Sequence, residues 1–213
     1  MSQELTKPTV RPRHAEAIPS LLLPIGFIAF VMALLASTLP YITTTSSMQR
    51  SSPSYTGSFS LIGGDGQAVT DRSWPGKFLL VYFGYTHCPD LCPTMLSSIA
   101  GALNDLGRKA DRVQALFVTI DPQRDTPAVM KQYTALFSTR IAGLTGTPAE
   151  LAAAAKDYGV RYVRQQTGPA ADDYEMEHTG YAYLVYPSGD LALTIPPGQT
   201  SREMASELAS QLE

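Results

Sequence analysis

Apolar runs alternate with amphipathic segments along the chain after about residue 55, and this pattern predicts its elements. The run Phe78–Phe83 is apolar throughout, which is typical of a buried β-strand. Residues Met95–Leu106 then place apolar side chains at helical spacing, and Gly107 is the residue type that commonly ends a helix. A second apolar run, Val113–Ile120, follows. Strand, helix and strand in this order predict two parallel strands joined by a right-handed crossover.

The rest of the pattern predicts further helices and strands around this unit. Thr126 followed by Pro127, and Thr147 with Glu150 three residues later, are typical helix starts. The predicted elements are a hairpin in 57–70, helices over 126–137, 147–158 and 201–212, a short strand over 161–165, a polar loop over 166–176, and antiparallel strands over 181–186 and 191–195. This order predicts an α/β fold of thioredoxin-like architecture, with a mixed sheet flanked by helices.

The N-terminal segment has a different pattern. Leu21–Leu39 is nearly continuous apolar sequence, long enough to cross a membrane as a helix. Three cations precede this run at Lys7, Arg11 and Arg13, whereas the next one after it is Arg50. The positive-inside rule therefore places the N-terminus in the cytoplasm and the rest of the chain on the far side.

These features predict a cytoplasmic tail over residues 1–16, one N-terminal transmembrane anchor over 17–41, a Ser/Thr-rich linker over 42–55 and a folded domain over 56–213. A cleaved signal peptide is the alternative, because Ala33–Ser37 resembles a small-residue processing site. In both cases the domain is exported. The formal net charge of −3 gives no reason to expect a nucleic-acid partner.

Candidate chemistry lies at Cys88 and Cys92, the only two cysteines of the chain. They occupy the turn between the first buried strand and the helix start, where unpaired N–H groups and the helix dipole favour a thiolate. A disulfide closing so short a loop would stabilise the fold by only roughly 2 kcal/mol, which makes a purely structural bridge a poor explanation. In an oxidising compartment the two thiols would pair unless a metal or a reductant holds them. The pattern therefore favours a redox pair or a metal site.

The chain has three histidines that could supply a third group to such a site. His14 lies in the predicted tail, and His87 is so close to Cys88 that simultaneous ligation would be awkward. His178 precedes a predicted strand whose start borders the cysteine turn in a thioredoxin-like fold, so it can reach the sulfurs. A lone histidine is usually a surface residue, and spacing alone leaves this role open. Two thiolates and an imidazole suit copper, and three ligands satisfy Cu(I), whereas zinc usually takes a fourth.

Four segments follow one another along the chain: Tyr82–Thr94, Asp121–Pro127, Asp173–His178 and Tyr183–Asp190. Through these segments the chain from Tyr55 to Glu213 resembles the SCO/SenC family of copper-binding assembly proteins for cytochrome c oxidase, with Leu91 where valine is more familiar. Their presence in this order is more specific than the cysteine spacing alone.

The resemblance implies a copper site of Cys88, Cys92 and His178 that holds Cu(I) and Cu(II), with Cys88 and Cys92 also able to form a redox disulfide. It implies delivery of copper to the binuclear centre of cytochrome c oxidase subunit II and exchange with another periplasmic copper carrier. With the predicted anchor, it places the protein in a bacterial inner (cytoplasmic) membrane, with the domain in the periplasm.

Two other functions stay open at this stage. An exported thiol–disulfide oxidoreductase could reduce the cysteines of the apo copper centre without His178, although such enzymes commonly use Cys-x-x-Cys. A peroxidase of related fold would need a hydroxyl and an arginine beside its reactive cysteine. Several nearby residues also have structural readings: helix capping for Asp90, a loop network for Asp121, Arg124 and Asp125, packing for Tyr85, Tyr181 and Tyr183, and a solvent-facing or partner-facing position for Glu175 and Glu177.

Overall fold

The computed structural model describes residues 57–212. The predicted tail, anchor and linker, and His14, lie outside the described residues. Of the helices within 57–212, none is long and apolar enough to span a bilayer. The elements in this part of the chain are β1 (Ser60–Gly63), β2 (Ala68–Thr70), β3 (Phe78–Gly84), α1 (Leu91–Asp105), β4 (Val113–Thr119), α2 (Pro127–Ala135), β5 (Ile141–Thr145), α3 (Pro148–Asp157), β6 (Tyr162–Gln166), β7 (Tyr174–His178), β8 (Ala182–Val185), β9 (Leu191–Ile195) and α4 (Ser201–Gln211), with two 3-10 helices at Asp71–Ser73 and Gly107–Arg112.

Seven of these strands form one mixed sheet in the order β2-β1-β5-β4-β3-β8-β9. Strand β4 runs parallel to β3 and β5, and the other neighbours are antiparallel. All seven residues of β3 are buried, so both faces of the sheet centre are covered. The predicted parallel crossover and the thioredoxin-like α/β fold, with a mixed sheet flanked by helices, are confirmed.

Local signals explain where the helices begin and end. Thr126 accepts a hydrogen bond from the backbone N–H of Val129 at the start of α2, and α3 and α4 begin with complete capping boxes at Thr147 and Thr200. Gly107 has a φ of +55°, a conformation that glycine adopts without strain, directly after the end of α1. These caps agree with the pattern of the sequence.

Strand β5 was not predicted from the pattern, because it is short and contains Gly143. The tertiary structure gives the reason for this glycine. A Cβ atom at Gly143 would lie 2.7 Å from the backbone oxygen of Met130, so α2 packs directly on the strand. A glycine inside a strand often marks such a close approach.

The predicted loop over 166–176 is wrong at its end, where Tyr174–His178 forms β7 and pairs with β6 in a separate two-stranded sheet. Tyr174 and Met176 are buried, whereas Glu175 and Glu177 are exposed. This alternation has the period of a strand. It was hidden by the polar residues on the outer face. Helix α1 also begins earlier than expected, at Leu91, so that Cys92 lies in its first turn.

Candidate metal centre

Three separate elements bring Cys88, Cys92 and His178 together. Cys88 lies in the loop after β3, Cys92 in the first turn of α1, and His178 at the end of β7. Their ligand atoms all lie within 4.8 Å of one another, and the Sγ of Cys92 is 3.7 Å from the Nε2 of His178. The residues singled out in the sequence therefore form one cluster, and their role as metal ligands stays a prediction.

His87 belongs to a different set of contacts. Its side chain is 55% exposed, and its Nδ1 lies 3.1 Å from the hydroxyl of Thr86. Among the described residues, the cluster that could hold a metal consists of the two cysteines and His178, without His87. The alternative donor left open by the sequence therefore lies outside this cluster, and its Nδ1 is instead close to Thr86 and Asp125.

Cys92 is fully buried against β3. The hydroxyl of Tyr82 donates a hydrogen bond to its sulfur over 3.6 Å. A Cβ atom at Gly84 would lie 2.6 Å from the same sulfur and 2.8 Å from the ring of Phe117. Only glycine at this position leaves room for the sulfur, so Gly84 allows Cys92 to pack directly on β3.

The two thiols differ in their tendency to ionise. A hydrogen bond with the Cys92 side chain is the main cause that lowers the pKa of Cys88 to about 4, and a second one with His178 acts in the same direction against the effect of burial. The backbone N–H of Cys92 also donates to the Cys88 sulfur over 3.3 Å. The pKa of Cys92 is raised, first by its hydrogen bond with Cys88 and then by burial. The outer sulfur is therefore the thiolate and the inner one keeps its proton.

His178 is oriented by its other ring nitrogen. Its Nδ1 lies 3.0 Å from the backbone carbonyl oxygen of Thr179. Because a carbonyl only accepts, Nδ1 carries the proton of this hydrogen bond and Nε2 faces the sulfurs. A protonated imidazole can donate from Nε2 to the Cys88 sulfur, whereas a neutral one offers a lone pair there. A fixed ring orientation of this kind is what protein metal sites use to direct a histidine ligand.

A buried carboxylate holds the loop that leads into Cys88. The side chain of Asp125 is inaccessible to solvent. It accepts hydrogen bonds from the backbone N–H of Thr86 over 3.0 Å, from the hydroxyl of Thr86 over 2.5 Å, and from the hydroxyl of Thr119 over 2.6 Å. Asp125 thus links the cysteine loop to the end of β4, in agreement with the loop network expected from the sequence.

Some important residues of the site were not singled out from the sequence. Tyr82 and Gly84 are two residues apart on β3 and therefore share the face that Cys92 packs on. The glycine at the end of a buried strand was the available signal, because such a residue permits close approach. Tyr174, which is hydrogen-bonded to Asp121 and Arg124, carried no comparable signal, since these contacts depend on the tertiary structure.

Other expectations near the site have mixed outcomes. Asp90 is the N-cap residue of α1 by position, yet its side chain makes no capping hydrogen bond. Tyr85 and Tyr183 are buried as packing residues, whereas Tyr181 is 41% exposed. The side chains of Glu175 and Glu177 face solvent, as expected.

The mixed sheet, with a pair of cysteines where its central strand leads into a helix, defines this chain as a protein of the thioredoxin-like class. The SCO1/SenC family model matches residues 47–213. The chain therefore belongs to the SCO1/SenC family. It is 36% identical over 160 residues to the protein sco1 of Schizosaccharomyces pombe, a match that covers 74% of this chain and 61% of that protein. The chain thus matches less than two thirds of that relative's length.

Solved structures agree with this assignment. The chain is similar to Bradyrhizobium japonicum ScoI with copper bound, at 42% identity and a TM-score of 0.66, over 72% of this chain and 96% of the other. It is also similar to yeast Sco1 with copper bound, at 33% identity and a TM-score of 0.67, over 73% of this chain and 86% of the other.

Proposed function

We propose that this protein is a membrane-anchored copper chaperone that binds Cu(I) and Cu(II) through Cys88, Cys92 and His178. The observation that carries the proposal is the cluster of their three ligand atoms within 4.8 Å. Two similar solved proteins are described as copper-bound, which supports copper as the cargo here.

The donor set fits this cargo. Soft thiolates favour Cu(I), and an imidazole suits copper in both oxidation states. Cys88 is already a thiolate, whereas Cys92 has to lose its proton when a metal binds, so copper binding releases protons. Cys88 and His178 are only half-buried. A partner can therefore approach the copper from their side and exchange ligands with it.

The cellular setting follows from the same proposal. Residues 1–16 form the cytoplasmic tail, 17–41 the anchor in a bacterial inner membrane, 42–55 the linker and 56–213 the copper-binding domain in the periplasm. The recipient is the binuclear copper centre of cytochrome c oxidase subunit II, and the donor is another periplasmic copper carrier. The resemblance to a family of oxidase assembly proteins supports this assignment.

A second function, thiol–disulfide exchange, is favoured by two neighbouring free cysteines of which one is half-buried and the other fully buried, and the lowered pKa of Cys88 agrees with it. The half-exposed Cys88 thiolate attacks one sulfur of a substrate disulfide, forms a mixed disulfide and releases the other sulfur as a thiolate. Cys92 then loses its proton, attacks Cys88 and releases the second substrate thiolate. The substrate is reduced by two electrons, and Cys88 and Cys92 end as a disulfide. The apo copper centre of subunit II is the substrate in this alternative.

A competitive Cu(I) titration of the full-length protein in detergent tests the copper proposal. We expect one tight equivalent in the wild type and an affinity at least about tenfold lower in His178→Ala. His87→Ala is the matched control, because it removes an imidazole beside Cys88 that lies outside the cluster, and it should bind copper like the wild type.

Weak binding in the wild type, or equal binding in wild type and His178→Ala, would refute the copper proposal. In that case, reduction of a model disulfide by both proteins would support the oxidoreductase function, because the two sulfurs do its chemistry and His178 only contributes to the lowered pKa of Cys88.

A further inference from the structure

The hairpin that carries His178 has few attachments to the rest of the domain. Strands β6 and β7 pair only with each other and stay outside the seven-stranded sheet. Most of β6 is exposed, although Tyr162 packs against the core and Arg164 donates a hydrogen bond to Gln123 over 3.1 Å. The other contacts with the domain come from the inner face of β7, where Tyr174, Met176 and His178 lie in succession. An isolated two-stranded hairpin is only marginally stable in water. Its position therefore depends on what holds this inner face.

Arg124 holds the first of these positions. Its Nε donates to the carboxylate of Asp121 over 2.5 Å, and its Nη1 donates to the backbone carbonyl of Tyr174 over 3.2 Å. The guanidinium also lies over the Tyr174 ring, 3.7 Å from its centroid. The Tyr174 hydroxyl also donates a 2.8 Å hydrogen bond to the carboxylate of Asp121. Three of these contacts thus fasten the start of β7 to the loop after β4, and the Arg124–Asp121 contact lies within that loop.

Tyr85 connects this arrangement to the second and third positions. The Arg124 guanidinium lies 5.8 Å from the Tyr85 ring centroid. Burial raises the pKa of Tyr85, and a hydrogen bond with the backbone of Met176 acts against this effect. The Tyr85 ring then meets the imidazole of His178 edge-on, with 6.1 Å between ring centroids. Arg124, Tyr85 and His178 therefore form a continuous chain of contacts that ends at the site.

We propose that Arg124 is a positioning residue that holds the β6–β7 hairpin in place so that His178 stays beside the cysteines. Arg124, Asp121 and Tyr174 are together called the latch. This inference rests on the proposed copper function. The two cysteines can hold Cu(I) without a histidine, whereas Cu(II) depends more on the imidazole because it is the harder ion. Loosening the latch should therefore weaken Cu(II) binding more than Cu(I) binding.

The test compares Arg124→Gln and Tyr174→Phe in full-length protein, each made in the wild type and in His178→Ala. Tyr174→Phe removes one hydroxyl from the latch and keeps the ring, so it remains informative if Arg124→Gln fails to fold. Arg140→Gln is the matched control, since Arg140 pairs with Asp111 at the surface, away from this chain of contacts.

We expect Arg124→Gln to lower the Cu(II) affinity by about tenfold, with a smaller loss for Tyr174→Phe and none for Arg140→Gln. The Cu(II) absorption spectrum should shift towards that of His178→Ala. In the His178→Ala background, Arg124→Gln should have no further effect on Cu(II) affinity, because residues that act through one another are not additive.

Hydrogen exchange of the apo protein gives a readout that needs no copper. The amides of Tyr174–His178 should exchange faster in Arg124→Gln and Tyr174→Phe than in the wild type and Arg140→Gln. Unchanged exchange in both latch variants would overturn the proposal, and so would an Arg124→Gln effect on Cu(II) of equal size in both backgrounds. A wild type that binds no copper, or binds it independently of His178, would instead refute the proposed function.

Discussion

The two sulfurs of the site are chemically unlike although they belong to the same residue type. Cys88 is half-buried at a helix start and its pKa lies well below the usual value, whereas the pKa of the buried Cys92 is raised. The difference arises because the single proton that the pair retains is most favourable on the sulfur that is inaccessible to solvent. Cys88 is therefore the sulfur that meets a metal, an alkylating reagent or a disulfide first.

This difference predicts an unusual pH dependence of alkylation. The folded-state pKa of Cys88 is lowered from 9.0 to about 4, so the thiolate persists as the pH falls until it approaches that value. We expect the rate of Cys88 alkylation by iodoacetamide to be nearly constant between about pH 6 and 8, with Cys92 unmodified. Mass spectrometry of quenched samples identifies the modified residue and gives its rate.

Cys92→Ala is the control, because it removes the hydrogen bond that contributes most to the lowered pKa of Cys88. The pH profile of the Cys88 alkylation rate in this variant should shift towards higher pH. A wild-type rate that rises by about tenfold per pH unit over this range, as for an ordinary thiol, would contradict the assignment of the thiolate.

At the scale of elements, the loop between β4 and α2 organises the site. Asp125 holds the cysteine loop, and Asp121 and Arg124 hold the histidine hairpin. The cysteine loop and the histidine hairpin are thus both attached to residues 121–125. Each attachment is a charged group with more than one hydrogen bond, and hydrogen bonds to charged groups are stronger than neutral ones.

Asp125→Ala tests the half that carries the cysteines. The substitution leaves the N–H and hydroxyl of Thr86 and the hydroxyl of Thr119 without their acceptor, so we expect the free energy of unfolding to fall by about 3 kcal/mol. Urea unfolding followed by the fluorescence of Trp74, the single tryptophan, measures the change.

Asp111→Ala is the matched control for this substitution. Asp111 is 69% exposed and pairs with Arg140 at the surface, so its loss should cost less than about 1 kcal/mol. Equal losses in the two variants would show that Asp125 has no special role in holding the cysteine loop.

Some elements of this organisation were predictable and others were not. The caps at Thr126 and Thr147 and the buried strand before Cys88 follow from local patterns, and they were predicted. Strand β5 and strand β7 were missed, because a glycine in one and two glutamates in the other weaken the pattern. Strand β5 pairs with β1, which is distant in sequence, and β7 is fastened to Asp121 and Arg124, about 50 residues before it, and local propensity encodes neither contact.

For the molecule as a whole, the apolar segment 21–39 predicts how the protein is held in the cell. We expect full-length protein to remain in the membrane fraction after alkaline extraction, because a single apolar helix of this length inserts stably. Protein expressed from residue 42 behind a cleavable leader is the control, and it should appear in the periplasmic extract.

The mass of the mature N-terminus separates the anchor from its alternative. An intact chain beginning at or near residue 1 agrees with the anchor. A mature chain that begins after Ala33–Ser37 and is released by extraction would show that the segment is a signal peptide instead.

Local patterns were sufficient to place the central strand, the helix starts and both cysteines at one turn, because these features depend on periodicity and capping within a few residues. The folded domain was needed to see that His178, 86 residues from Cys92, lies next to its sulfur, that Gly84 leaves room for that sulfur, and that Arg124 reaches the hairpin. These contacts join segments that are far apart in the chain, and they arise when the strands take their order in the sheet and bury their faces together.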